Sequence, residues 1–473
     1  MYFSGLWVCL CIRAHLTPGV TLVLQVIGCR TRETRCASRP VHNGTPDSSV
    51  DKYFVGAWVH LRWPRRHRPL MANIRPVRRI LPAGLPALTL LFCLLASAPA
   101  WAAPYLPAAD SQVLATVPAR ASDPRARDLV ALRAAWRAQP NDVNAAVRLA
   151  QRYFDEVAAE GDPRYVGYAQ AALQPWWALP DPPVAVRVLR AMLVQFDHRF
   201  DAALADLDAV VAAEPENAAA WSWRTAILMV QARYPEARLS CEQMAELTSE
   251  LVAVACRAQV DAATGHAGPA AAALRAALLA ARDAGPDERL WCLTRLAETE
   301  ERRGAFPAAE AAFREALALG IPDVYLQAAY ADFLLDRGRP AEVLVLLKDQ
   351  GRADVLLMRL AQAAKATGDS KAPSLAAELG ARFDAARRRG DTTHRKEESR
   401  FTLAVQGDVA RALVLAKENF AAQREPIDAR ILLEAAVAAR DLAAAQPALD
   451  WMATSGIQSV ALQPLADRLK DLR

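Results

Sequence analysis

Apolar positions along this chain fall into paired helical stripes that recur with a period near 34 residues, over roughly residues 149–451. Two segments show it most plainly. Leu296-Ala297, Gly304, Ala309, Phe313 and Ala316 are answered 34 residues later by Tyr330-Ala331, Gly338, Val343 and Leu347. Ala, Leu, Arg and Glu dominate these stretches, β-branched runs are short, and Gly and Pro fall mainly between periodic segments. That combination predicts helix throughout and little strand. A single helix pair cannot bury its own apolar face, so a fixed period of pairs predicts stacking of each pair on its neighbours.

The small residues set the register, because helices cross closely only where side chains are small. Leu149-Ala150 with Tyr153 open the first unit, and Ala191 with Ala203, Leu207 and Pro215 mark the second. Trp221, Ala237 and Met244 mark the third, Ala203 and Ala237 being 34 residues apart. Ala271 follows after another 34, with Gly265 in the turn, and then come the two strong units. Leu360-Ala361 with Gly368, Gly407 with Ala412, and Ala435 with Leu449 supply the rest; residues 369–400 depart most. These positions resemble the tetratricopeptide repeat, whose 34-residue consensus runs Trp, Leu-Gly, Tyr, then Ala, Phe, Ala and Pro. The chain departs from it where Ala or Thr replaces the first-helix Gly, and Trp221 is its one good consensus Trp. The resemblance implies an all-α, right-handed superhelical solenoid of eight or nine stacked antiparallel helix pairs over residues 125–473, its ends acting as caps.

The resemblance further implies that the first helices line a concave groove for an extended peptide or a partner helix. By position the groove-facing residues are Trp291, Glu298, Arg302, Tyr325, Asp332, Asp336, Gln362 and Lys365. Glu298 and Arg302, four apart, are placed to pair with each other as readily as with a ligand. Asp332 and Asp336 are like charges at the same spacing, a repulsion that a basic partner segment would relieve.

The N-terminal region changes the charge picture. Met71 opens what looks like a secretory signal over residues 71–102, with Arg75, Arg78 and Arg79 as its basic start, an apolar run at residues 88–95, and Ala100-Trp101-Ala102 before the cut. Residues 1–70, with Cys9, Cys11, Cys29 and Cys36 and no sustained periodicity, are expected to be an upstream extension foreign to the native protein or a disordered leader. Residues 103–124 form a Pro-containing flexible lead-in. The formal net charge of +5 is therefore misleading: residues 1–102 hold 13 Lys/Arg against 3 Asp/Glu, leaving 44 against 49 in the remainder. A mildly acidic mature chain lacks the clustered positive field that nucleic acid requires. The expected location is the periplasm or the exterior, with no stable membrane insertion after cleavage.

Catalytic chemistry is not legible. The mature region has no Gly-rich phosphate loop, nucleophile elbow or His-Glu-x-x-His. His198, His266 and His394 are too dispersed to suggest a metal site and are expected to be solvated, and no cofactor is called for. Tyr165, Tyr168, Ala169 and Ala172 share one helix face, an ordinary packing pattern, and Trp176-Trp177 would stop that helix. Cys241 and Cys256 lie in adjacent helices, leaving open either a bridge or two buried thiols. Arg387-Arg388-Arg389 begin the densest charge run, which is either a solvated elbow between repeats or an arginine cradle for an acidic peptide, with Glu397 and Glu398 close enough to neutralise it. The function expected is a non-catalytic, exported scaffold for an unidentified protein or peptide; the alternatives are an enzyme or a small-ligand or metal-delivery accessory using the groove.

Overall fold

The computed structural model describes residues 123–471. The upstream extension, the signal segment and most of the lead-in lie outside the described residues. Helix α1 (Pro124–Ala138) begins at Asp123, whose carboxylate accepts the amides of Arg125 and Ala126, satisfying donors that a helix start leaves orphaned. Nine antiparallel pairs follow among the described residues. They are α2 (Val143–Glu160) with α3 (Arg164–Ala172), then, after the single turn α4 (Gln174–Trp177), α5 (Val184–Phe196) with α6 (Phe200–Ala213). Next come α7 (Ala218–Val230) with α8 (Tyr234–Ala245), and α9 (Glu250–Ala263) with α10 (Ala267–Ala280). The strong units are α11 (Pro286–Arg302) with α12 (Phe306–Ala318), and α13 (Val324–Asp336) with α14 (Pro340–Leu346). Then α15 (Asp354–Thr367) pairs with the long α16 (Ala372–Arg388). Short α17 (Arg395–Phe401), continued by a π-turn over Thr402–Gln406, pairs with α18 (Val409–Ala422). The last pair is α19 (Pro426–Ala439) with α20 (Leu442–Ser455), capped by α21 (Gln463–Lys470). No strand occurs among the described residues. Nine pairs agree with the repeat number expected.

The small residues stand where the register places them. Ala150, Ala191, Ala203, Ala237, Ala271, Ala297, Ala331, Ala361, Ala412 and Ala435 are all 0% exposed, and each lets a neighbouring helix approach closely. One apolar cluster runs from Leu129 to Ala363, and a second holds the last two pairs together from Ala416 to Leu469. Cys241 of α8 and Cys256 of α9 form a disulfide, so a covalent bond joins the third pair to the fourth. It closes a 15-residue separation, a constraint on the unfolded chain worth about 3 kcal/mol.

The superhelix closes on itself. Its last pairs return to the turn edge of pairs two to five. The backbone amide of Arg424 donates to the Val230 carbonyl at 2.8 Å, and that of Val460 to the Arg302 carbonyl at 2.9 Å. Trp451 Nε1 donates to the Tyr234 hydroxyl at 3.2 Å. His198 is therefore not the solvated histidine expected: its ring stacks on Phe200 and meets the Gln423 side-chain amide at 2.8 Å. The reason is the closure, which brings a residue 225 positions away onto its turn.

Gly265 shows how close the approach is. Its φ is +87°, and a Cβ there would lie 2.9 Å from the Gly456 carbonyl oxygen. Gly368, at φ +68°, occupies the corresponding turn of a later pair with nothing within 4 Å. Alanine at either site carries the left-handed penalty of about 1–2 kcal/mol. Gly265→Ala is expected to cost a further 1–3 kcal/mol or so, because backbone must also move. Urea unfolding of the two variants measures the difference; equal losses would mean that α20 does not end on this turn.

Candidate functional site

Closure converts the concave side into a cavity of about 330 Å³. Its walls come from α11, α13 and α15 on one side, and from α17, α19 and the segment 459–462 on the other. Of the residues expected to face the groove, Glu298, Arg302, Tyr325, Asp332 and Asp336 all line this one space. They do so because each lies on a first helix, at positions repeating every three to four residues and every repeat.

Most of their polar groups are already engaged, which corrects the expectation of two unrelieved aspartates. Asp332 accepts from Arg359 at 2.5 Å and from both terminal nitrogens of Arg400 at 2.7 and 2.9 Å. Against the cost of burial, these two guanidiniums hold its carboxyl well below the usual range. Asp336 is clasped by Arg430, which also binds Glu434. Arg359 lies 27 residues on, in the next pair, but Arg400 and Arg430 come from 68 and 94 residues further along, so only the closed superhelix brings those two across. Glu298 accepts the Tyr325 hydroxyl and pairs with Arg295 at 3.0 Å, while Arg295 lies over the Tyr325 ring at 4.9 Å.

Two neighbouring residues stand outside this pairing. Arg302 does not reach the Glu298 carboxylate. Its contacts are the Glu298 carbonyl and the Thr299 hydroxyl, both at 3.4 Å. The Glu301 carboxylate has no hydrogen bond or ion pair among the described residues, and burial together with Asp336, Asp332 and Glu298 pushes it up to about 8.

The other expected groove residues lie elsewhere. Trp291 is buried in the core, because residues 290–297 are buried on every face of α11. Gln362 is partly buried away from the cavity. Lys365 is exposed and donates to the carbonyls of Ala404 and Val405 in the π-turn, at 2.9 and 2.8 Å. Arg387 pairs with Asp384 and Glu398 at the end of α16, and Glu398 also takes Arg411. The cluster therefore partly neutralises itself, while Arg388 and Arg389 remain exposed.

A second concavity was not legible in the sequence, since its walls include Tyr234 and Trp451, 217 residues apart. It is an apolar groove of about 1120 Å³ along the seam between α8 and the last pairs. Tyr234, Val260, Phe420, Leu432 and Trp451 lie along its floor, all buried, and Leu239 beside them is 60% exposed. Lys417 and Arg424 stand on its border with no side-chain ion pair among the described residues. The exposed leucine on α8 was the one local signal. Among the described residues, no group of three or more His, Cys, Asp or Glu is arranged to hold a metal. Cys292 is buried, and burial pushes its thiol well above the usual range.

The Glu301 environment fixes a pH dependence. A carboxyl that keeps its proton up to about 8 when folded, against 4.5 as its ordinary value, contributes fully below the unfolded value. That contribution is lost as pH rises through the folded one, since the native state binds the extra proton. Glu301→Gln is therefore expected to raise the thermal midpoint relative to wild type at pH 9 and to change it little at pH 4.5. A pH-independent difference between the two proteins would count against the acidic cluster.

No protein-family model and no curated protein matches the chain. Among solved structures it is similar to the APC/C hetero-tetramer Cut9-Hcn1, at 11% identity and a TM-score of 0.43, covering 70% of this chain. The chain spans 63% of the length of that one. It is also similar to yeast Tom70, at 10% identity and a TM-score of 0.34, over 74% of this chain and 84% of the other. A third likeness is to a tetratricopeptide repeat protein from Parabacteroides merdae, at 14% identity and a TM-score of 0.28, over 61% and 98%. Nine stacked helix pairs with buried alanines in a 34-residue register make this fold tetratricopeptide-like.

Proposed function

We propose that the chain is an exported, non-catalytic scaffold that holds a segment of a partner protein in the apolar seam groove. The groove carries this reading. Its apolar surface and the 60% exposed Leu239 form a concavity suited to the apolar face of a helix, the mode in which amphipathic segments dock. Lys417 and Arg424 at its border select a segment with acidic flanks, since complementary charge sets specificity and association rate. The inner wall is less suited to an extended peptide, because Asp332 and Asp336 already hold arginines of this chain.

Export is supported by the signal-like segment at Met71 and by the Cys241–Cys256 bridge, which belongs in an oxidising compartment. No helix among the described residues is long and apolar enough to cross a membrane. On this reading, intact mass of the exported protein should give a chain that starts near Ala103 with Cys241 and Cys256 oxidised. A chain retaining Met1, with both thiols reduced, would remove the export part of the proposal.

The binding part is tested by capture from periplasmic extract. Lys417→Glu with Arg424→Glu, and separately Leu239→Glu, should each weaken recovery of the same partner about tenfold or more, with little change in thermal midpoint, since these exposed side chains have no structural role. Recovery at the wild-type level in both variants would exclude the seam groove as the docking surface.

A further inference from the structure

The closed cavity holds two arginines whose guanidiniums the chain satisfies only in part. Arg295 is 7% exposed, and its bond to Glu298 uses only Nη1. Its Nε and Nη2 are buried with no hydrogen-bond partner. Arg302, seven residues on along α11, is two turns away on the same face. It has only the two 3.4 Å contacts already described and no carboxylate within ion-pair distance among the described residues. Glu298, the one carboxylate paired with Arg295, also takes the Tyr325 hydroxyl, and Arg302 has no paired carboxylate among the described residues. A positive charge removed from water without a counter-charge costs several kcal/mol, and burial pushes the Arg302 guanidinium below its usual range. The rest of the wall differs, since Arg359 and Arg400 are paired with Asp332 and Arg430 with Asp336.

We propose that this cavity binds a small organic acid, its carboxylate seated on Arg302, with the under-partnered guanidinium of Arg295 beside it as a second positive charge. The planar fork of an arginine matches the two oxygens of a carboxylate. A volume of about 330 Å³ is at the small end of the range for ligand pockets, about 300–1,000 Å³. It suits a compact acid rather than a folded partner segment. Backbone bonding from Val460 to Arg302 fixes the carboxyl end of α11 and with it the position of the guanidinium. This site is separate from the seam groove and does not depend on it.

Thermal denaturation and calorimetry of the full mature chain test the site with acetate, succinate and glutamate. The references are sodium chloride at matched ionic strength and succinamide, the neutral isostere of succinate. At least one acid should raise the midpoint in a saturable way, and succinamide should not. Arg302→Met should weaken that acid at least tenfold while keeping a midpoint equal to or above wild type, because it removes a charge without a counter-charge. Lys in the same place keeps the charge but not the fork. If Arg302→Met does not fold, Arg302→Lys is expected to weaken binding several-fold. Shifts no larger than those of chloride for all three acids, or unchanged affinity in the Arg302 variant, would overturn the proposal.

Discussion

The structure depends on the contact between the last helix pairs and the turn edge of pairs two to five. A solenoid gains stability from each unit packing on the next, and nothing in that scheme relates distant units. Here two backbone hydrogen bonds, Arg424 to Val230 and Val460 to Arg302, join segments that are 194 and 158 positions apart in number. Backbone bonds of this kind fix position without reference to side-chain type. They set the approach so closely that Gly265 has room for no Cβ. The rest of the architecture, including the cavity, the seam groove and the environment of His198, follows from that return.

Closure also decides which charges can be buried. On an open superhelix the aspartates of α13 would face water, and ion pairs there would add little to stability. Once α17 and α19 cross in front of them, each aspartate loses solvent and must have a cation. Arg400 and Arg430 supply it, with Arg359 as a second partner for Asp332. Pairs of this kind stabilise weakly in net terms but penalise any arrangement that separates them. They specify how the two ends meet more than how tightly they hold. Lys396, bonded to Glu425 at 3.3 Å and close to Asp428 at 3.5 Å, does the same between α17 and α19.

Helix pairs and their register were readable, and their number as eight or nine, because close helix crossings demand small residues, and alanines at 34-residue intervals record those crossings directly. The clustering of Glu298, Arg302, Tyr325, Asp332 and Asp336 was readable for a similar reason: periodicity assigns each to the inner face of a first helix. Their partners were not. Superhelical curvature is a small rotation summed over many units, and no local pattern in Arg400 or Arg430 shows that the sum brings them opposite α13. Trp291 was misplaced because α11 is packed on all sides over residues 290–297, where amphipathic logic has no exposed face to find. Lys365 was misplaced because the π-turn frees the carbonyls of Ala404 and Val405, and a single widened turn leaves little trace in sequence. The Cys241–Cys256 bridge stayed open because spacing along the chain does not fix Cα separation.

The closed arrangement has a consequence for how such a chain can change over time. Open repeat arrays tolerate gain or loss of a unit, because each neighbour interface is rebuilt locally. In this chain, removing one of the nine pairs would rotate and translate the returning end past the turns of Val230, Gly265 and Arg302. Donors and acceptors on both sides would then face the wrong partners. The repeat number is therefore a closure condition, like the number of strands in a barrel, and the seam tolerates substitution within units far better than insertion or deletion of whole ones.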